Sequence, residues 1–367
     1  MKEIEINKIP SPTWSWLKIN ESKALLPENL EEIRPEIRGN TEISVFSSKS
    51  LAEEVKLFKD SKNFSSKEEE AFKSLSLDDS FSNLISSSKP LSIIADKENQ
   101  NLVIQYKVKK SNTSASQFIR AKEGSQLTVT ILSENNNEKS ESGFFCQETM
   151  VLAETNSQVT INKIHLLNDE FTQVCSTKVF AEENASVTVN HILLGAKASF
   201  MECRCALSGY KSSFNSELSY MAEKEEYKDI NYVVNHYGKK TECNMNVYGT
   251  LRDKAVKDYR GTIDFKTGSS SSVGEEREDA LLLSPLVKNN SLPVILCTEE
   301  DVEGEHGASI GRISEDTLYY MQSRGFTKKQ AENACARAKI QRVLSKIDDE
   351  EIYQKISDFM TSIFDDE

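Results

Sequence analysis

Three segments of this chain repeat one another at a spacing too long for a helical heptad and too short for a domain. Residues 121–129 (Ala-Lys-Glu-Gly-Ser-Gln-Leu-Thr-Val) align with 153–161 (Ala-Glu-Thr-Asn-Ser-Gln-Val-Thr-Ile) and 181–189 (Ala-Glu-Glu-Asn-Ala-Ser-Val-Thr-Val), the leading alanines standing 32 and then 28 residues apart. Each unit has an apolar strand end, a polar turn carrying Gly or Asn where positive φ is cheap, and an alternating β-branched strand. Strand repeats of this period without intervening helices predict a solenoid whose coils stack at about 4.8 Å and bury one another's inward side chains. The fold class expected is therefore mainly β: a β-helix, or strand solenoid, with helical material at both ends.

Three regions follow from texture. Residues 1–94 read as an N-terminal helical or mixed cap, with helices expected over 50–60 and 66–75 between Ser-rich breaks. Residues 95–312 form the expected β-helix core, its strand texture continuing at 214–218, 230–234, 245–248 and 259–265 although the repeat itself decays after Val189. The stack is expected to end near residue 300, and Ser269–Ser272 reads as an exposed turn between coils. Residues 313–367 form a C-terminal helical domain: a capping box at Thr327 and Gln330 opens one helix, and Gly325 suits the positive-φ stop of a helix starting near Ser314. The last helix carries the clearest periodicity, with Ile352, Tyr353, Ile356, Phe359, Met360, Ile363 and Phe364 on one apolar face.

Charge narrows the partners. Lys+Arg 45 against Asp+Glu 58 leaves a net −13, a field that repels phosphate backbones and anionic lipid, so neither nucleic acid nor a membrane is an expected partner. No apolar run approaches the roughly 20 residues that span a bilayer. The opening Met-Lys-Glu-Ile-Glu-Ile lacks the continuous apolar stretch of a secretion signal. Seven scattered cysteines, an odd number, suit reduced thiols better than a disulfide framework, and a cytoplasmic address is expected.

Candidate chemistry centres on four histidines. His165 and His191 fall in repeat strands, where a coil-facing or solvent-facing imidazole is the ordinary reading, and His236 stands in a turn-like stretch beside Tyr237 and Gly238. Cys203 and Cys205 share one side of a strand and so could bind a soft metal. With no second pair at zinc-ribbon spacing, small buried hydrophobes are the preferred reading. His306 differs. It lies between glycines in Asp301-Val-Glu-Gly-Glu-His306-Gly-Ala-Ser-Ile-Gly311, with three acids to raise its basicity or orient it as a metal ligand. Glu305 and Cys297 are its candidate companions, Cys297 reading more readily as core; the ordinary alternative for His306 is a solvated turn. No nucleophile elbow, HExxH, Walker or dinucleotide motif is present.

The 259–325 stretch resembles the SufB/SufD family of iron–sulfur cluster assembly proteins. Asp301-Val302…His306-Gly307-Ala308-Ser309-Ile310-Gly311 is similar to that family's signature, as are Leu318-Tyr319-Tyr320-Met321-Gln322-Ser323-Arg324-Gly325, Tyr259-Arg260-Gly261, Leu281-Leu282-Leu283-Ser284-Pro285 and the N-terminal Pro12-Thr-Trp-Ser-Trp-Leu-Lys-Ile-Asn20. SufB-like chains carry an essential cysteine in the segment corresponding to 275–285; its absence here favours the SufD branch. Some relatives place a cysteine where this chain has Gly304. The resemblance implies a non-catalytic scaffold subunit that pairs with a SufB-like β-helix through the solenoid end. It also implies a transient iron–sulfur cluster shared there through His306 and a partner cysteine, none being held tightly by this chain alone. Docking of a SufC-like ABC ATPase on the C-terminal helices is implied too. Tyr319, Tyr320, Arg324, Gly325, Ile352, Tyr353, Ile356, Phe359 and Met360 are the candidates for that contact, and intramolecular packing is the competing use of the last stripe. Self-pairing as a homodimer and a role for flavin stay open. The rival class is a carbohydrate-active β-helix enzyme, a lyase or hydrolase, for which the chain shows no recurrent acidic ladder.

Overall fold

A computed structural model describes residues 1–13, 18–40, 43–44, 47, 49–76, 85, 88–109, 111–135 and 142–365. Four residues of the N-terminal motif, 14–17, lie outside these. Short strands β1 (Lys2–Ile6), β2 (Ser22–Leu26), β3 (Glu31–Glu32), β4 (Glu36–Gly39) and β5 (Ile43–Ser44) lead into helices α1 (Leu51–Asp60) and α2 (Ser66–Lys73). The solenoid follows as β6 (Leu91–Ala95), β7 (Gln100–Lys107), β8 (Asn112–Ala121), β9 (Gln126–Glu134), β10 (Gly143–Ala153), β11 (Gln158–Leu167), β12 (Phe171–Ala181) and β13 (Ser186–Gly195). It continues through β14 (Ala198–Leu207), β15 (Ser213–Ala222), β16 (Tyr227–His236), β17 (Glu242–Leu251), β18 (Val256–Phe265), β19 (Ser272–Leu282), β20 (Lys288–Cys297) and β21 (Val302–Gly311). Helices α3 (Glu315–Ser323), α4 (Lys328–Leu344) and α5 (Glu350–Asp365) close the chain.

Successive solenoid strands alternate between two sheets, so each strand pairs in parallel with the one two places on. Even-numbered strands run β20-β18-β16-β14-β12-β10-β8-β6, odd-numbered strands β21-β19-β17-β15-β13-β11-β9-β7, and one apolar core fills the space between. The antiparallel additions β5 on β6 and β4 on β7 cover the N-terminal edges. Helices α1 and α2, each opened by a serine capping box, lay Phe58 and Phe72 on the outer face of the even sheet against Phe180, 5.0 Å from Phe72. On the outer face of the odd sheet, α4 and α5 bury Ile340, Val343, Ile352, Ile356, Met360 and Phe364 against Leu132, Ile164, Leu166, Ile192 and Leu194.

The register explains the repeat and its decay. Ala95, Ala121, Ala153 and Ala181 stack in one inward column, which continues through Leu207, His236, Phe265 and Cys297. As this column grows bulky, the facing one shrinks, from Val187 and Phe214 to Cys243, Gly274 and Gly304. A Cβ on Gly304 would lie 3.1 Å from the Phe265 ring, so its place is already filled. The turns form a second ladder: Gly124, Asn156, Asn184, Lys211, Lys240 and Ser271 all have φ between 52° and 71°. Their amides donate along the stack, as from Asn156 to the Glu183 carbonyl (2.9 Å) and from Asn184 to Tyr210 (2.8 Å). After Asn184 the same left-handed turn is made without Gly or Asn, which hides the period. Two expectations are corrected here. The stack runs on to Gly311, past residue 300, and the serine turn is exposed only at Ser271, because Ser269 and Ser272 point inward and are buried.

Candidate functional site at the open end

Both sheets end on strands that no further strand among the described residues covers: β20 and β21 each have a neighbour on one side only. Their side chains show the consequence, since β21 is exposed almost throughout whereas the equivalent positions of β17 and β18 are mostly buried. Inward and outward positions follow from register. Ser272, Gly274, Glu276 and Glu278 point into the rod and pair with Val302, Gly304, His306 and Ala308. His306 therefore occupies an inward-facing position of the last coil, exposed because no coil lies above it.

Cys297 shares that layer. It continues the column of Phe265, but on the terminal strand its thiol is exposed and donates to the Glu299 carbonyl at 2.8 Å, so the core reading of Cys297 is overturned by the missing coil. Glu305 alternates onto the outer face with Glu303, away from the imidazole, and Asp301 accepts from the Ser271 hydroxyl at 2.8 Å. The carboxylate stacked under His306 is instead Glu276, one coil below and buried. Burial pushes the Glu276 carboxyl up to about 7, helped by the charge of Glu278 and opposed by Tyr259 and Lys257. Sequence reading passed over Glu276; the signal lay in its two-residue spacing from Gly274 and Glu278, which a strand converts into one face.

The Tyr259-Arg260-Gly261 motif gains a physical account. Tyr259 faces the interior beside Glu276, and Gly261 leaves the space that the Glu276 carboxylate fills: a Cβ there would stand 2.2 Å from Oε1. Arg260 faces outward and is fully buried by the N-terminal hairpin of β1 and β2, donating to Asp229 (2.9 Å), to Ser22 (3.0 Å) and to the Ile19 carbonyl.

The other histidines are interior. Burial drives His165 down to about 3 and His236 likewise to about 3, and it lowers His191 well below its ordinary range, with Lys163 adding to the shift at His165 and His191. His191 meets the Tyr232 hydroxyl at 2.5 Å, while His236 bonds Thr241 at 2.7 Å and approaches the Cys243 thiol at 3.3 Å. His236 closes a strand and is not in an exposed turn. Cys203 and Cys205 both face the core, with thiols pushed upward by burial, as small hydrophobes do. Among the described residues all seven cysteines are free, and no group of three or more His, Cys, Asp or Glu could hold a metal ion.

The C-terminal candidates divide by exposure. Tyr319 (76% exposed), Tyr320 (58%), Arg324 and Gly325 lie on the surface, Gly325 taking φ 96° after α3. Ile352, Ile356 and Met360 are sealed against the odd sheet and Phe359 packs there too, so of that stripe Tyr353 alone is presented outward. Among the described residues no helix is long and apolar enough to cross a membrane.

A parallel two-sheet solenoid, helices on both faces, and a histidine at its uncovered end define a β-solenoid protein with an exposed terminal coil. Residues 104–339, more than half of the chain, match the family described as SUF system FeS cluster assembly, SufBD core domain, and the chain belongs to that family. It is 32% identical over 108 residues to iron-sulfur cluster assembly protein SufD of Bacillus subtilis (strain 168), covering 29% of this chain and 25% of that one. To SufD of Escherichia coli (strain K12) it is 25% identical over 166 residues, 45% of this chain and 39% of the relative. To the SufBD family protein ycf24 of Antithamnion sp. it is 29% identical over 129 residues, 35% and 43% of the two chains. The chain thus spans less than half the length of these relatives.

Proposed function

We infer that this chain is a SufD-like scaffold subunit in a SufB–SufC–SufD assembly that builds iron–sulfur clusters in the cytoplasm, with the open solenoid end as its contribution to an interfacial cluster site. The observation that carries the reading is the position of His306: an inward-facing imidazole on the terminal coil, exposed only because the stack stops there. A SufB-like solenoid abutting β20 and β21 would pair their free edges, cover the layer of Cys297 and His306, and supply the ligands that one chain lacks. A neutral imidazole from one side and a thiolate from the other give a mixed donor set suited to iron. The cluster is cargo and is passed on.

The SufC-like ATPase docks on the α3 end. This is supported by exposed Tyr319 and Tyr320, by the Arg324 guanidinium 5.2 Å from the Tyr320 ring, and by a neighbouring cavity of about 380 Å³ lined by Arg324, Phe326, Arg337 and Phe364. Such aromatic and arginine surfaces are those enriched at interface centres. The test is co-expression with both partners: His306→Ala is expected to preserve the complex and to lower cluster yield and iron retention, and wild-type levels of both would remove the histidine from the mechanism.

A further inference from the structure

We propose that Glu276 is this chain's second donor to iron at the open end, held one coil beneath His306 in the space that Gly261 leaves. The proposal rests on the reading of that end as half of a cluster site. Three observations carry it. First, Glu276 and His306 are register partners on adjacent parallel strands and face the same way, which sets their Cα atoms about 5 Å apart, within joint reach of one metal ion. Second, Glu276 is 3% exposed, and the one donor near its carboxylate among the described residues is the buried Tyr259 hydroxyl, which does not close a well-formed hydrogen bond on Oε2. A buried carboxylate oxygen so weakly paired is costly, and a bound cation would relieve that cost.

Third, the nearby charges do not balance. Lys257, itself fully buried, is ion-paired with Glu278 and bonded to the Ser291 hydroxyl (3.0 Å), so among the described residues Glu276 has no ion pair of its own and meets the Lys257 charge only at a distance. Gly261 is what lets the carboxylate lie there, since a Cβ would collide with both of its oxygens, at 2.2 and 2.5 Å. A cation entering from the exposed imidazole would meet Glu276 next, and carboxylate with imidazole is a donor pair that ferrous iron accepts.

The test uses the chain assembled with its SufB-like and SufC-like partners, titrated anaerobically with ferrous iron alone. Iron retained after gel filtration and the melting temperature are both read. Glu276→Gln, an uncharged isostere, is expected to weaken retention about tenfold or more with the melting temperature unchanged or raised, and Glu276→Asp to recover part of it. Gly261→Ala, which keeps the carboxylate but displaces it, is expected to weaken retention as well and serves if Glu276→Gln does not assemble. Wild-type retention in Glu276→Gln or Gly261→Ala while His306→Ala loses iron would overturn this proposal and leave the cluster-site reading standing. Wild-type retention in His306→Ala too would overturn both.

Discussion

Arg260 and Asp229 form an ion pair 2.9 Å long in which neither side chain exposes any surface. Asp229 also accepts from Asn7, Ser22 and Tyr227, so strand β16, strand β18 and the N-terminal hairpin meet on one carboxylate. Breaking such a pair leaves a charge stranded in the interior. Arg260→Ala is expected to cost about 3–5 kcal/mol, and replacement of both partners by apolar residues of similar volume considerably less. Thermal or urea melting measures the difference, and early proteolytic release of residues before Leu26 would accompany the single substitution.

Interior glycines are matched to bulky neighbours on the facing or adjacent coil. A Cβ on Gly249 would stand 1.9 Å from the Tyr220 ring, which is itself buried. Gly249→Ala is therefore expected to destabilise by about 1–3 kcal/mol, and a second change, Tyr220→Leu, to restore part of the loss. A double-mutant cycle on denaturation midpoints checks the coupling; additive losses would contradict the packing described.

Acid should loosen the rod. His165 and His236 are held down to about 3 from an ordinary 6.5 by burial, so the folded chain keeps them neutral while the unfolded chain takes up protons. Stability from these groups is complete above about pH 6.5 and falls toward pH 3, at up to about 1.4 kcal/mol per pH unit for each histidine. Urea midpoints measured at pH 7.5 and pH 5 should drop on acidification, and His236→Gln should flatten that slope.

Packing and the proposed docking role of the C-terminal helices separate experimentally. Ile356→Ala, at a fully buried position, is expected to lower stability by about 2–4 kcal/mol. Tyr319→Ala, at a position 76% exposed, should leave the melting curve within about 0.5 kcal/mol and, on the proposed docking, reduce capture of a SufC-like ATPase. Undiminished capture would move the docking site away from α3.

Much of the architecture was legible because a solenoid writes its period into its sequence. The Ala121, Ala153 and Ala181 alignment corresponds to true neighbours in the stack, and the left-handed turns at Gly124, Asn156 and Asn184 are where the chain needs them. The capping boxes at Ser50, Ser65 and Thr327 mark helices for the same local reason. What was not legible depends on what stands across the core. Cys297 resembles a core residue in its own strand, and only the missing next coil exposes it. Glu276 lies among four charged neighbours and looks solvated until register turns it inward.

The apolar stripe of α5 shows the same division. Its 3.6-residue periodicity determined a helix with one greasy face, but whether that face meets a partner or the chain's own sheet is a question of distance, answered by Leu132, Ile164 and Ile192 lying beneath it. Local sequence determined the strands, the turns and the caps, because those follow from backbone preference and side-chain alternation within a few residues. Tertiary structure alone decided that His306 stands at an end, with Glu276 under it. Burial in a stack depends on how many coils are present, and no single coil encodes that number.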